Sequence, residues 1–223
     1  MTSPTPRGAL AGLSLCMLLA ALGTSIANVG LPQMAEGFTA AFAAVQWVVL
    51  SYLLAITAVL VGVGRLGDRF GHRRLLLAGV AVFAVACALC SAAPSLGALV
   101  AARALQGLGA ATMMAMTMAL VTATVPKEQT GRVMGLLGTM SAVGTGLGPA
   151  VGGALIAASG WRALFLVMLP LAALAFVLVQ RTQADRDPPP PAGGRVSVFS
   201  ALHDRALGAG LGMSTLVAAV MMT

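Results

Sequence analysis

Six runs of apolar residues organise this sequence, at 8–30, 45–63, 75–93, 96–125, 133–158 and 161–179. An α-helix needs about 20 such residues to cross the hydrocarbon core of a bilayer, and each run is long enough. Inside lipid a helix satisfies its backbone N–H and C=O groups without help from water. Hydrophobic residues make up 59% of the chain and charged residues 9%, so the polar surface of a water-soluble domain is missing. The fold class expected is an all-α integral membrane protein, with six helices in a domain over 1–179.

The net charge of +7 raises the question of a nucleic-acid partner, and the placement of the cations answers it. Eleven of the 13 basic residues fall at 1–7, in the loop at 64–74, at Lys127 and Arg132, and beyond residue 180. Those segments share one side of the membrane if the spans alternate, and the other side holds only Arg162. Such asymmetry is an orientation signal, which places the amino terminus and the segment after the sixth span in the cytoplasm. It is not a nucleic-acid footprint.

Site chemistry of other kinds is not evident. Cys16, Cys87 and Cys90 all lie in apolar runs, and the Cys87-x-x-Cys90 spacing has no His or acid nearby, so these residues are assigned to packing and no metal site is expected. There is no nucleophile–base pair and no phosphate-binding loop, so neither an enzyme nor direct ATP use is expected, and no cofactor is implied. The first run is long and has no small-residue cleavage site before a soluble domain, so it is expected to be a retained span and not a signal peptide.

The densest charge cluster is Gly64-Arg65-Leu66-Gly67-Asp68-Arg69-Phe70-Gly71-His72-Arg73-Arg74. So many cations cannot lie in hydrocarbon, and the three glycines permit a sharp reversal at a membrane face. The segment resembles the signature loop between the second and third helices of the major facilitator superfamily, with His72 where that family usually has Arg. The resemblance implies a gate built from Gly64, Asp68, Arg69, Gly71 and Arg73. Asp68 would meet a helix amino terminus of an opposite domain, and Arg69 and Arg73 would pair with acids such as Glu128.

Three further motifs carry the resemblance. Leu99-x-x-x-Arg103-x-x-Gln106-Gly107-x-Gly109-Ala110-Ala111 resembles the fourth-helix motif of proton-coupled exporters. Arg103 is the only charge in the interior of a span, where insertion costs about 2.5–3.5 kcal/mol or more. It shares a helix face with Gln106, and the resemblance gives this pair a part in proton coupling or in organising the cavity. The bland alternative is a side chain that snorkels to the membrane face. Gly144-x-x-x-Gly148-Pro149-x-x-Gly152-Gly153 is similar to the motif that marks antiporters in the superfamily. Its glycines recur every four residues and let another helix pack closely, and Pro149 removes a backbone donor. The end of span one, Leu22-Gly23-Thr24-Ser25-Ile26-Ala27-Asn28, resembles the first-helix motif of drug exporters, in which an acid commonly stands before the Thr. Here that position is Gly23, and every acid in the chain is assigned to a loop.

Thr24 and Asn28 share a face and are candidates to line a substrate cavity, with Asn28 equally suited to a helix–helix hydrogen bond. Tyr52, Met113 and Met114 are further cavity candidates, since thioethers suit an adaptable apolar pocket. Taken together, the resemblance implies a secondary transporter of the bacterial inner membrane that exports apolar or amphiphilic compounds in exchange for protons. The expected partners are the small-molecule substrate, protons, the bilayer and a carboxy-terminal domain absent from this chain. Residues 180–205, with prolines at 188–191, are expected to be a central cytoplasmic linker, and 206–223 the beginning of a seventh helix. An uptake facilitator for a polar nutrient and a non-transporting half-length scaffold are the alternatives.

Overall fold

The computed structural model describes residues 6–182, without side-chain placement at Gly64, Arg65, Asp68 and Arg69 and a few other positions. The expected linker and seventh helix therefore lie almost wholly outside the described residues. Eight α-helices follow in order: α1 (Pro6–Phe38), α2 (Phe42–Val45), α3 (Trp47–Phe70), α4 (His72–Ala92), α5 (Leu96–Thr124), α6 (Lys127–Ser159), α7 (Ala163–Leu166) and α8 (Met168–Thr182). They supply six stretches long and apolar enough to cross a membrane, since α2 leads into α3 and α7 into α8. No strand occurs among the described residues.

Three boundaries differ from those expected, the first being that α6 starts at Lys127 and not at 133, so that Glu128 and Arg132 belong to a helix and not to a loop. Pro32 does not end the first span: it lies exposed inside α1, which runs 33 residues, or about 50 Å. The helix stops instead at Thr39, whose φ of 50° is left-handed, while the Ala40 N–H closes back to the Ala35 carbonyl at 3.0 Å. That is a Schellman-type closure with Thr in the place usually held by Gly. Glu36 consequently belongs to the last turn of α1 and not to a loop. The expected reversal over 64–74 also narrows, because residues 64–70 continue α3 and α4 starts at His72. Gly71 alone makes the break, with a φ of 88° that side chains other than glycine rarely adopt.

The turn between α4 and α5 has a conventional cause. Pro94 cannot continue a helix, and the Ser95 hydroxyl accepts from the Ala98 N–H at 3.3 Å as an N-cap. Pro126 stands just before α6, where its missing N–H costs nothing.

In the bundle α5 lies between α3 and α4, and α1 lies between α6 and α8. Contacts of α1 with α5 and of α4 with α8 join the two halves. Leu19, Ile26, Phe83, Leu99, Met113, Met116 and Phe165 are wholly buried between them. The outer faces are apolar too: Leu50, Leu53, Leu54 and Leu60 of α3 and Val143, Leu147 and Val151 of α6 are exposed. Such surface belongs against lipid and not water. Close crossings are made at glycines, as where Gly109 of α5 meets the Phe83 backbone N–H and the Gly79 carbonyl of α4.

Candidate functional site

Arg103 lies two turns into α5, and its side chain stays inside the bundle rather than reaching a membrane face. It is 0% exposed. Three donors are spent on three acceptors: Nε on the Val48 carbonyl of α3 at 2.9 Å, Nη1 on Gln106 Oε1 at 2.5 Å, and Nη2 on the Gly23 carbonyl of α1 at 3.0 Å. The guanidinium carbon lies 4.2 Å from the centre of the Tyr52 ring and 5.9 Å from that of Phe165. A buried cation over an aromatic face is stabilised by the ring quadrupole, more so away from water. Hydrogen bonds from a charged donor add about 1.5–3 kcal/mol each. No carboxylate takes part among the described residues, so the guanidinium is held by dipoles and by the faces of two rings.

The second layer is hydrogen-bonded as well. Gln106 turns its amide nitrogen to Cys87 Sγ at 2.9 Å and towards Met168 Sδ at 3.7 Å. The Tyr52 hydroxyl donates to the Ala20 carbonyl at 2.8 Å. Gly107 and Gly23 give this cluster its room. A Cβ on Gly107 would come within 2.5 Å of the Tyr52 carbonyl oxygen, and one on Gly23 would come within 2.9 Å of the Tyr52 hydroxyl. The absence of an acid before Thr24 thus has a steric counterpart, since the Tyr52 hydroxyl fills the space a side chain would need.

Of the other residues singled out from the sequence, Tyr52 joins Arg103 and Gln106, Thr24 lies within hydrogen-bonding reach of the Tyr52 hydroxyl, and the rest lie elsewhere. Met113 is wholly buried and Met114 half-buried on α5. Thr24, half-buried, donates to the Ala20 carbonyl at 3.1 Å, and the exposed Asn28 donates to the Thr24 carbonyl at 3.3 Å. Both bonds stay within α1, so Asn28 makes no helix–helix bond among the described residues. In the loop, Gly71 provides the break and Arg73 Nη2 donates to the Gln180 carbonyl at 2.8 Å, linking α4 to the end of α8. The side chains of Gly64, Asp68 and Arg69 lie outside the described residues. Glu128 is exposed in the first turn of α6.

On α6, Gly144, Gly148 and Gly152 are buried and face α1. A Cβ at Gly144 would approach the Leu18 carbonyl to 2.7 Å, and one at Gly148 would collide with the Ser25 hydroxyl. Ser25 Oγ also donates to the Gly144 carbonyl at 3.2 Å across the two helices. Pro149 is exposed, and nothing lies within 4 Å of where a Cβ on Gly153 would be, so these two stand outside the contact. No cluster of metal-binding side chains occurs among the described residues.

Sequence reasoning could pair Arg103 with Gln106 by their spacing. It missed Gly23, Val48, Cys87 and Phe165 as partners. Backbone carbonyls carry no residue signature, and Cys87 was set aside as packing.

The comparisons with known proteins agree with this architecture. The family model described as Major Facilitator Superfamily matches residues 13–223. The multidrug efflux pump LfrA of Mycolicibacterium smegmatis is 40% identical over 202 residues, covering 88% of this chain and 40% of that protein. The multidrug resistance protein Stp of Mycobacterium tuberculosis is 38% identical over 168 residues, covering 75% of this chain and 31% of that protein. The chain thus spans well under half the length of these relatives. Among solved structures, a bacterial homologue of the human lysosomal transporter Spinster, in an inward-facing and occupied conformation, superimposes with a TM-score of 0.73 at 18% identity. That match covers 86% of this chain and 46% of the other, and shows the fold alone. The chain belongs to the Major Facilitator Superfamily, and its six helices are the amino-terminal domain of that fold.

Proposed function

We propose that the chain is the amino-terminal half of an exporter that moves apolar or amphiphilic small molecules out across the bacterial inner membrane in exchange for protons. The observation that carries this reading is the 40% identity to a multidrug efflux pump over 88% of the chain. The antiporter-type stripe Gly144, Gly148 and Gly152, seated on α1, supports it. The amino terminus and the segment after α8 lie in the cytoplasm, as the cation asymmetry requires. A second domain follows the central linker, and the two rock about a site near the midplane.

In this scheme the loop around Gly71 is the gate, with Asp68, Arg69 and Arg73 making and breaking contacts at the cytoplasmic face. Arg103 and Gln106 act from inside the domain. With hydrogen bonds to the Val48 and Gly23 carbonyls, Arg103 fixes the relative positions of α1, α3 and α5, and it sets a positive field next to any proton-binding group in the opposite domain. Thr24, Asn28 and Met114 lie on less buried faces and are the residues of this half that meet substrate. The reaction is transport, without chemical change and without a cofactor.

The test is ethidium efflux from loaded cells that produce the whole protein. Efflux above the vector control, abolished by a protonophore, is expected. Ethidium retention equal to the control, or efflux that survives the protonophore, counts against proton-coupled export.

A further inference from the structure

Three sulfur atoms converge beside the Arg103 cluster. Gln106 Nε2 donates to Cys87 Sγ of α4 at 2.9 Å and approaches Met168 Sδ of α8 at 3.7 Å, so these two sulfurs are neighbours across one nitrogen. Cys90 stands three residues after Cys87 on the same face of α4, and both cysteines lie within electrostatic reach of the Arg103 guanidinium. Cys87, Cys90 and Met168 are wholly buried, and the cysteines are free thiols.

The spacing favours a bridging ion over a disulfide. Side chains at i and i+3 of a helix have Cβ atoms about 5–6 Å apart. A disulfide needs about 3.5–4.5 Å, so closing one would distort α4, which runs unbroken from His72 to Ala92. Two metal–thiolate bonds of about 2.3 Å in line span about 4.6 Å, which suits two thiols on Cβ atoms so placed.

Charge and ligand number select the ion. Arg103 is surrounded by two carbonyls, an amide oxygen and ring faces, with no carboxylate among the described residues. Two thiolates around a monovalent cation leave one net negative charge, which matches the guanidinium, whereas two around a divalent cation leave none. No group of three His, Cys, Asp or Glu side chains occurs among the described residues, so an ion that needs three or four such ligands has no cage here. Thiolates and a thioether suit Cu(I), which is soft and monovalent.

We propose that Cys87 and Cys90 bind one Cu(I) ion as thiolates, with Met168 Sδ as a weaker third ligand. The ion displaces the two thiol protons to solvent, and no electron is transferred. The Gln106 amide N–H stays on Cys87 Sγ and orients it, as donors behind a metal ligand do. Cys90 lies in the last turn of α4, so the ion enters from the membrane face opposite the Gly71 break. The site does not depend on the transport reading.

The experiment titrates the whole protein, reduced and in detergent under nitrogen, into the coloured Cu(I)–bathocuproine disulfonate complex and follows the loss of colour. The parent is expected to withdraw one equivalent more than a Cys87→Ser/Cys90→Ser double variant. Cys16→Ser should bind like the parent, and Met168→Leu at least tenfold more weakly. Equal withdrawal by the parent and the double variant overturns the proposal. So does retention of the equivalent in either single cysteine variant. Copper K-edge absorption of the parent, loaded with one equivalent, reads the site without any substitution. Sulfur neighbours alone are expected, and nitrogen or oxygen neighbours overturn the assignment.

Discussion

The carbonyl oxygen of Tyr52 lies against the bare Cα of Gly107, where an added methyl group would approach it to 2.5 Å and the Ala55 Cβ to 2.8 Å. Neither neighbour can rotate away, because one is backbone and the other has no rotamer. Gly107→Ala is therefore expected to force α3 from α5 and to destabilise the domain by about 1–3 kcal/mol. Gly97→Ala, with nothing within 4 Å, is the control and should leave stability unchanged or slightly raised. Thermal unfolding of the detergent-purified protein, followed for both variants, checks this.

Arg103→Lys keeps the charge and loses the geometry. A lysine has one nitrogen, which cannot reach the Val48 and Gly23 carbonyls and Gln106 Oε1 in the plane that the guanidinium spans. At least one buried acceptor is then orphaned, at about 1–3 kcal/mol. Transport by Arg103→Lys should fall at least tenfold while membrane insertion persists. Rates close to the parent protein would show that charge alone suffices.

Tyr52 separates ring from hydroxyl. Tyr52→Phe removes the bond to the Ala20 carbonyl, worth about 1 kcal/mol, and retains the face beneath Arg103. Tyr52→Leu removes both. Phe should keep most of the transport rate and Leu should lose it, and comparing initial efflux rates at matched expression decides.

Asp68→Asn tests the gate. The substitution should leave the protein inserted and folded, and abolish transport, since an amide carries no charge for a helix amino terminus to hold. Normal efflux by this variant would remove Asp68 from the gating role.

The six spans were legible because each run has to be apolar along its full length to cross lipid. Their ends were less so. Pro32 reads as a terminator, yet it lies on an exposed position inside α1 and the helix runs on to Phe38. The cluster at 64–74 has three glycines of equal weight in sequence, and only Gly71 takes a left-handed φ. Arg103 and Gln106 could be joined by spacing alone. Tyr52 could not be linked to them, since the contact depends on how α3 crosses α5 at Gly107, a property of two helices at once.

The seam between α1 and α6 has a mechanical consequence. Most helix pairs interdigitate, so displacing one along the other means lifting side chains out of their notches, one rotamer after another. At Gly144 and Gly148 the α6 surface has no knobs, and among the described residues Ser25 is the one side chain that hydrogen-bonds across it. Here the backbones of α1 and α6 meet directly, so the seam holds one fixed spacing that a single added methyl group would have to force apart.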